Sequence, residues 1–158
     1  MPTAASNKRT SASPHQVWAV LSDGYRYSEW VQGTKEIRDV DEGWPSAGTS
    51  IHYTAGIGPV THKDTTTSRE CIPLQLLELE AHAWPAGTAR VGLRISPSGT
   101  GSIVTMNEHP LRGPARWIHN PLTALGFRFR VKRMLEDLVR LAEAEAEPDP
   151  DPDPDPAP

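Results

Sequence analysis

The stretch from Asn120 to Glu147 constrains the fold most, because it is the one long helical pattern in the chain. Asn120 offers a side-chain cap for the first turn. Pro121 suits the first helical position, where a missing N–H has no intrahelical partner to lose. At about 100° per residue, Ala124, Phe127, Val131, Met134, Leu135, Leu138, Leu141 and Ala142 fall on one broad apolar stripe. Arg133, Glu136, Asp137 and Arg140 lie opposite, and the spacing predicts an i,i+4 pair between Glu136 and Arg140. Gly126 costs about 1 kcal/mol relative to alanine inside a helix. It marks a candidate kink, since Leu122 and Phe129 are out of phase with the stripe. A helix with so wide an apolar face needs a curved apolar surface to lie against.

The preceding residues supply one. Thr3–Ser11 is short and polar and suits a first edge strand. Ser13-Pro14-His15-Gln16 then carries a helix start: a serine cap, a proline at the first position and a glutamine placed for a capping box. That helix contains Val17, Trp18, Val20 and Leu21 and stops at Asp23-Gly24. A second short helix fits Tyr25–Val31, with Gly33 ending it. Strands follow near Lys35–Asp41, Thr49–Ala55, Val60–Cys71, Leu74–Ala83, Thr88–Ser96 and Ser102–Arg112. They are separated by links rich in glycine and proline, such as Gly56-Ile57-Gly58-Pro59 and Pro97-Ser98-Gly99. Links this short join antiparallel neighbours, which makes the strands a meander. Alternation puts Leu77, Leu79 and Ala81 on one face, with Val91, Leu93 and Ile95, and then Val104 and Met106. Glu78, Glu80, Arg90, Arg94, Thr105 and Asn107 point the other way.

The expected architecture is therefore α+β: a curved antiparallel sheet of six or seven strands wrapped around a long C-terminal helix, with two short helices after the first strand. One helix across a half-barrel seldom fills it, so a cavity is expected between helix and sheet. This domain spans 1–146. Residues 147–158 are Glu-Pro-Asp-Pro-Asp-Pro-Asp-Pro-Asp-Pro-Ala-Pro, whose alternating prolines forbid both helix and ladder and predict an extended, disordered tail.

Charge narrows the partners. The net charge is −4, but seven acidic and no basic residues lie from Glu143 onward. The body before it has 16 basic against 13 acidic residues, a mild +3 that falls far short of a nucleic-acid binder. The single cysteine, Cys71, excludes an internal disulfide framework and fits a reducing compartment. Met1–Ser13 has no apolar signal-peptide core, and no apolar run approaches the ~18 residues of a membrane span, so a cytoplasmic protein is expected. The six histidines, at 15, 52, 62, 82, 109 and 119, show no helical i,i+4 pair and no cysteine partners, so neither a metal nor another bound cofactor is expected. No nucleophile elbow, phosphate loop or dinucleotide fingerprint is present.

Several local words, in this order of elements, resemble the START-like (SRPBCC) superfamily, and within it the polyketide cyclase/dehydrase-type lipid-binding branch. They are Ser13-Pro14-His15-Gln16-Val17-Trp18 with Val20-Leu21-Ser22-Asp23, then Tyr27 to Trp30, Trp44-Pro45 with Gly48, and Gly101-Ser102-Ile103-Val104-Thr105-Met106-Asn107-Glu108. The resemblance covers Ser11 to Glu143. It implies a helix-grip fold with a deep hydrophobic cavity for lipids, sterols, polyketides or other apolar ligands. It supplies no fixed catalytic motif, because the superfamily includes enzymes, carriers and protein-binding modules.

Within such a cavity, the sheet would contribute Tyr53, Leu79, Val91, Leu93, Val104, Met106 and Glu108. The short helices would add Tyr27 and Trp30, the last helix Phe127, Val131 and Met134, and the loop Gly113–His119 a gating Trp117. Glu108 continues the Val104–Met106 face. In an apolar pocket its carboxyl would have a raised pKa and could act as general acid or base, or anchor a ligand hydroxyl. At a frayed strand end it would instead be solvated or paired with an arginine. His52 and Tyr53 alternate, and periodicity turns Tyr53 inward with Ile51 and Ala55; either residue could serve a polar ligand group. His62 and Asp64 share a face that, on so polar a strand, is expected to meet solvent. Arg112, Arg116, Arg128, Arg130, Lys132 and Arg133 form a basic cluster near one end of the long helix, which could approach anionic lipid headgroups or a ligand carboxylate, or be a solvated helix start with ordinary ion pairs. Three functions follow: binding of a small hydrophobic ligand, a cyclase or dehydratase-type enzyme using Glu108 with Tyr53 or His52, or a protein-interaction module. The oligomeric state is not encoded in any of these signals.

Overall fold

Glycine- and proline-marked links turn the last six strands back on one another in chain order, and the first strand pairs with the last, making a single seven-stranded antiparallel sheet. The computed structural model describes residues 4–83, 87–112 and 121–145. The strands are β1 (Ala4–Thr10), β2 (Thr34–Val40), β3 (Ser50–Ile57), β4 (Val60–Ile72), β5 (Leu76–Ala83), β6 (Gly87–Ser98) and β7 (Gly101–Arg112). Helices α1 (Pro14–Leu21) and α2 (Tyr27–Trp30), with a short 3-10 turn at Gly24–Arg26 between them, follow β1. Helix α3 (Pro121–Ala144) closes the described chain. Asn120, Trp117 and the proline–aspartate tail lie outside the described residues.

The first helix starts where the capping box places it. The Gln16 amide donates to Ser13 Oγ at 3.3 Å, and the Ser13 amide donates back to Gln16 Oε1 at 2.7 Å. Gln16 also reaches across to α3, its Nε2 donating to the Glu145 carbonyl at 2.7 Å. Thr10 Oγ1 donates to Glu143 Oε1 at 2.7 Å, and Arg26 pairs with Glu145. The C-terminal end of α3 is thus tied to β1, α1 and the 3-10 turn by polar contacts as well as by packing.

Helix α3 runs unbroken through Gly126 and lies closest to β1 and β7 of the sheet and to α1 and α2. Val131, Met134, Leu135, Leu138 and Ala142 of the expected stripe are buried, and so is Val139, which the stripe omitted. Arg140 donates to Asp137 Oδ1 at 2.9 Å. The i,i+3 partner therefore takes the place expected for Glu136. Facing the helix, Ile51, Tyr53, Leu77, Leu79, Val91, Leu93, Ile95, Val104 and Met106 form the buried face of the sheet. Glu78 and Arg90 pair on the opposite face, as do Arg69 and Glu80 at 2.6 Å.

Candidate functional site

Strand β7 carries Glu108 two residues beyond Met106, so the pleat turns its carboxyl to the same inner face. It stands between Val91 of β6 and Ala4 of β1 in the ladder and is only 4% exposed. Helix α3 brings a cation beside it: Arg130 Nε lies 3.6 Å from Glu108 Oε2. That distance makes an ion pair beyond hydrogen-bond length, and among the described residues Oε2 has no hydrogen-bond partner. Burial raises the Glu108 carboxyl above its ordinary value, and the Arg130 charge opposes that rise without cancelling it. Arg130 is itself held from the other side, its Nη1 donating to the Gln32 carbonyl at 3.0 Å.

A second polar group on the same face is built from hydroxyls. Thr66 of β4, fully buried, has Oγ1 2.8 Å from the Tyr27 hydroxyl and 3.1 Å from the Tyr53 hydroxyl. Tyr53 also donates to the His82 carbonyl at 3.0 Å. A phenol has one hydrogen and a carbonyl can only accept, which orders the chain of donors from Tyr27 to Thr66 to Tyr53 to His82. Its free end is the Tyr27 oxygen, whose lone pairs remain able to accept. Burial raises the phenols of Tyr27 and Tyr53, Tyr27 strongly; the charge of Arg130 works against both shifts, while that of Glu108 adds to the shift at Tyr27. The two polar groups therefore share one electrostatic environment. Trp30 closes the cluster edge-on to Tyr27, with ring centroids 5.4 Å apart at 70°.

Among the residues expected at the site, the structure gathers Tyr27, Trp30, Tyr53, Leu79, Val91, Leu93, Val104, Met106, Val131 and Met134 into one buried cluster, with Glu108 among them. His52 is not with them. It sits on the outer side of β3, its Nε2 2.9 Å from Asp41 Oδ1, because the pleat that turns Tyr53 inward turns its neighbour out. Trp117 and the Phe127 side chain lie outside the described residues. The expected solvent face of His62 and Asp64 is corrected: Asp64 stands opposite Tyr53 and His62 opposite Ala55, so both belong to the inner face. Their side chains lie 3.2 Å apart and are mostly buried. Two participants were not singled out by the sequence. Thr66 lies in a uniformly polar strand, and Arg130 was one of six clustered cations until the register of α3 against β7 singled it out.

These features form a helix laid against the inner face of a curved sheet, with a buried carboxylate between them. A family model described as polyketide cyclase / dehydrase and lipid transport matches residues 1–143. The chain belongs to this family. A search of curated proteins found no match. Solved structures of the same fold include protein MLL2253 from Mesorhizobium loti, with 16% identity, a TM-score of 0.66, and coverage of 92% of this chain and 99% of that one. Protein CV1439 from Chromobacterium violaceum is 18% identical with a TM-score of 0.66, covering 92% and 100%. TTHA0849 from Thermus thermophilus is 14% identical with a TM-score of 0.64, covering 90% and 98%. At these identities the likeness shows the fold alone. Membership of the polyketide cyclase / dehydrase and lipid transport family supports a ligand-binding or cyclase-type role.

Proposed function

We propose that this protein binds a small hydrophobic ligand, a lipid, polyketide or aromatic molecule, between α3 and the inner face of the sheet. On this reading Glu108 and Arg130 meet the ligand's polar group. The observation that carries the proposal is Glu108: a carboxylate only 4% exposed to solvent, with one oxygen that has no hydrogen bond among the described residues. Folding alone gives no return for burying such a group, since an unsatisfied buried acceptor costs about 1–3 kcal/mol. A ligand hydroxyl donating to Oε2 would supply the missing bond, and the Tyr27 oxygen offers a second acceptor for the same or a neighbouring donor. The apolar remainder would gain about 25 cal/mol for each Å² it buries against Leu79, Val91, Met106 and Met134.

Met134→Trp tests the location. Met134 lies on the inner face of α3, 1% exposed, and on this reading an indole in its place would take the ligand's volume. Binding of dansyl-labelled undecanoic acid, followed by fluorescence, is expected to weaken by about tenfold or more, equivalent to about 1.4 kcal/mol. Unchanged affinity in a folded variant would place the ligand elsewhere.

A second reading, a cyclase or dehydratase-type enzyme, is favoured by the raised Glu108 carboxyl, which can hold a proton nearer neutral pH than an ordinary glutamate. Tyr53 supports it less. Its hydrogen is committed to a backbone carbonyl, and burial makes the phenol a weaker acid. Glu108→Gln separates the readings, since an acid–base role requires the carboxyl whereas the amide still offers an oxygen acceptor to a bound ligand.

A further inference from the structure

The outer face of α3 near its start is apolar where a solvated helix would be polar. Leu125 and Phe129 are 63% and 67% exposed, one turn apart on the side opposite Val131, Met134 and Leu138. Arg128, Lys132 and Arg133 are exposed on the same half of the helix. Leu125, Gly126, Arg128, Phe129 and Lys132 line a recess of about 630 Å³. From Pro121 to Leu135 the sequence contains four cations and no acidic residue. In helical projection Arg128 and Lys132 fall to one side of the Leu125–Phe129 ridge and Arg133 to the other.

We infer that this face docks on an anionic lipid surface, with Leu125 and Phe129 entering the headgroup boundary and Arg128, Lys132 and Arg133 meeting lipid phosphates. Charge decides between occupants. A second copy of the chain, packed patch to patch, would bring these cations against their own equivalents. The acidic segment from Glu147 onward has the complementary charge, but its only uncharged residues are proline and alanine, leaving no large apolar side chain to cover Leu125 and Phe129. An anionic bilayer satisfies both the charge and the apolar ridge. The inference stands on exposed residues and does not depend on the ligand reading above.

Co-sedimentation of the full chain with vesicles of phosphatidylglycerol and phosphatidylcholine tests it, against vesicles of phosphatidylcholine alone. Partitioning should favour the anionic vesicles and fall as salt is raised. The double variant Arg128→Glu, Lys132→Glu should lose about 25-fold or more, taking about fivefold for each cation removed. Phe129→Ser should weaken partitioning by about tenfold, since it removes most of one large apolar side chain from the interface. Uptake of dansyl-labelled undecanoic acid in vesicle-free solution should be unchanged by Phe129→Ser, which keeps docking distinct from ligand binding. Equal partitioning onto neutral and anionic vesicles would overturn the inference, as would wild-type partitioning by these folded variants. A patch-dependent dimer that ignores vesicles, dissolved by Phe129→Ser in sedimentation, would overturn it in favour of a second copy.

Discussion

Arg130→Met is expected to destabilise the protein by about 2 kcal/mol at neutral pH. That is below the roughly 3–5 kcal/mol for breaking a fully buried pair, because the arginine side chain is 38% exposed and water already screens it. The loss should depend on pH with a definite sign. The folded carboxyl of Glu108 lies above its ordinary value of 4.5, so the fold favours the protonated form. Its contribution to stability is fully present below 4.5 and is lost as pH rises through the folded value. Methionine at position 130 removes a charge that restrains this rise. The variant's deficit should therefore shrink on acidification toward pH 4.5 and grow above it. Adding Glu108→Gln to Arg130→Met should recover most of the loss at neutral pH, because an amide needs no counter-ion. Urea denaturation of the four chains across pH 4.5–8 measures all of this as one double-mutant cycle. A deficit that is flat in pH would mean the arginine acts through its packing alone.

Gly101→Ala is the substitution expected to damage the fold most directly. A Cβ at this position would clash with the Thr10 carbonyl oxygen and crowd the Ser11 Cα at 3.1 Å, both backbone atoms with little freedom to move. Glycine there lets the start of β7 close on the end of β1, which sets the register that carries Glu108 to Ala4. A loss of about 3 kcal/mol is expected, the upper end for overpacking. Gly126→Ala is the matched control, since a Cβ there meets nothing within 4 Å, and it should stabilise by about 1 kcal/mol in thermal unfolding. Equal stability of the two variants would contradict the close approach at Gly101.

Physical reasons separate what the sequence made legible from what it did not. Glu108 was readable because Val104 and Met106 set an alternation that it continues, and Tyr53 because Ile51 sets one beside it. The same rule turned His52 outward. The inner face of β4 was not readable. Thr65 to Arg69 has no apolar residue to mark a face, so only the ladders with β3 and β5 show that Asp64, Thr66 and Ser68 point inward. Arg130 is a different case. Its neighbour Val131 belongs to the apolar stripe, which puts Arg130 at the stripe's margin, but a carboxylate across the interface is a tertiary fact with no local signature. The i,i+4 expectation for Glu136 and Arg140 failed because i,i+3 and i,i+4 partners compete on a helix surface, and Asp137 was within reach of both Arg133 and Arg140.

On the proposed function, α3 and the inner face of the sheet enclose an apolar ligand whose polar group meets Glu108 and Arg130. Native mass spectrometry of gently purified full-length protein, before and after exposure to an apolar extract, tests it most directly. The account predicts a discrete added mass that is released on denaturation, passes into organic solvent, and is reduced in Met134→Trp. A bare protein mass under both conditions, from folded protein, would contradict it.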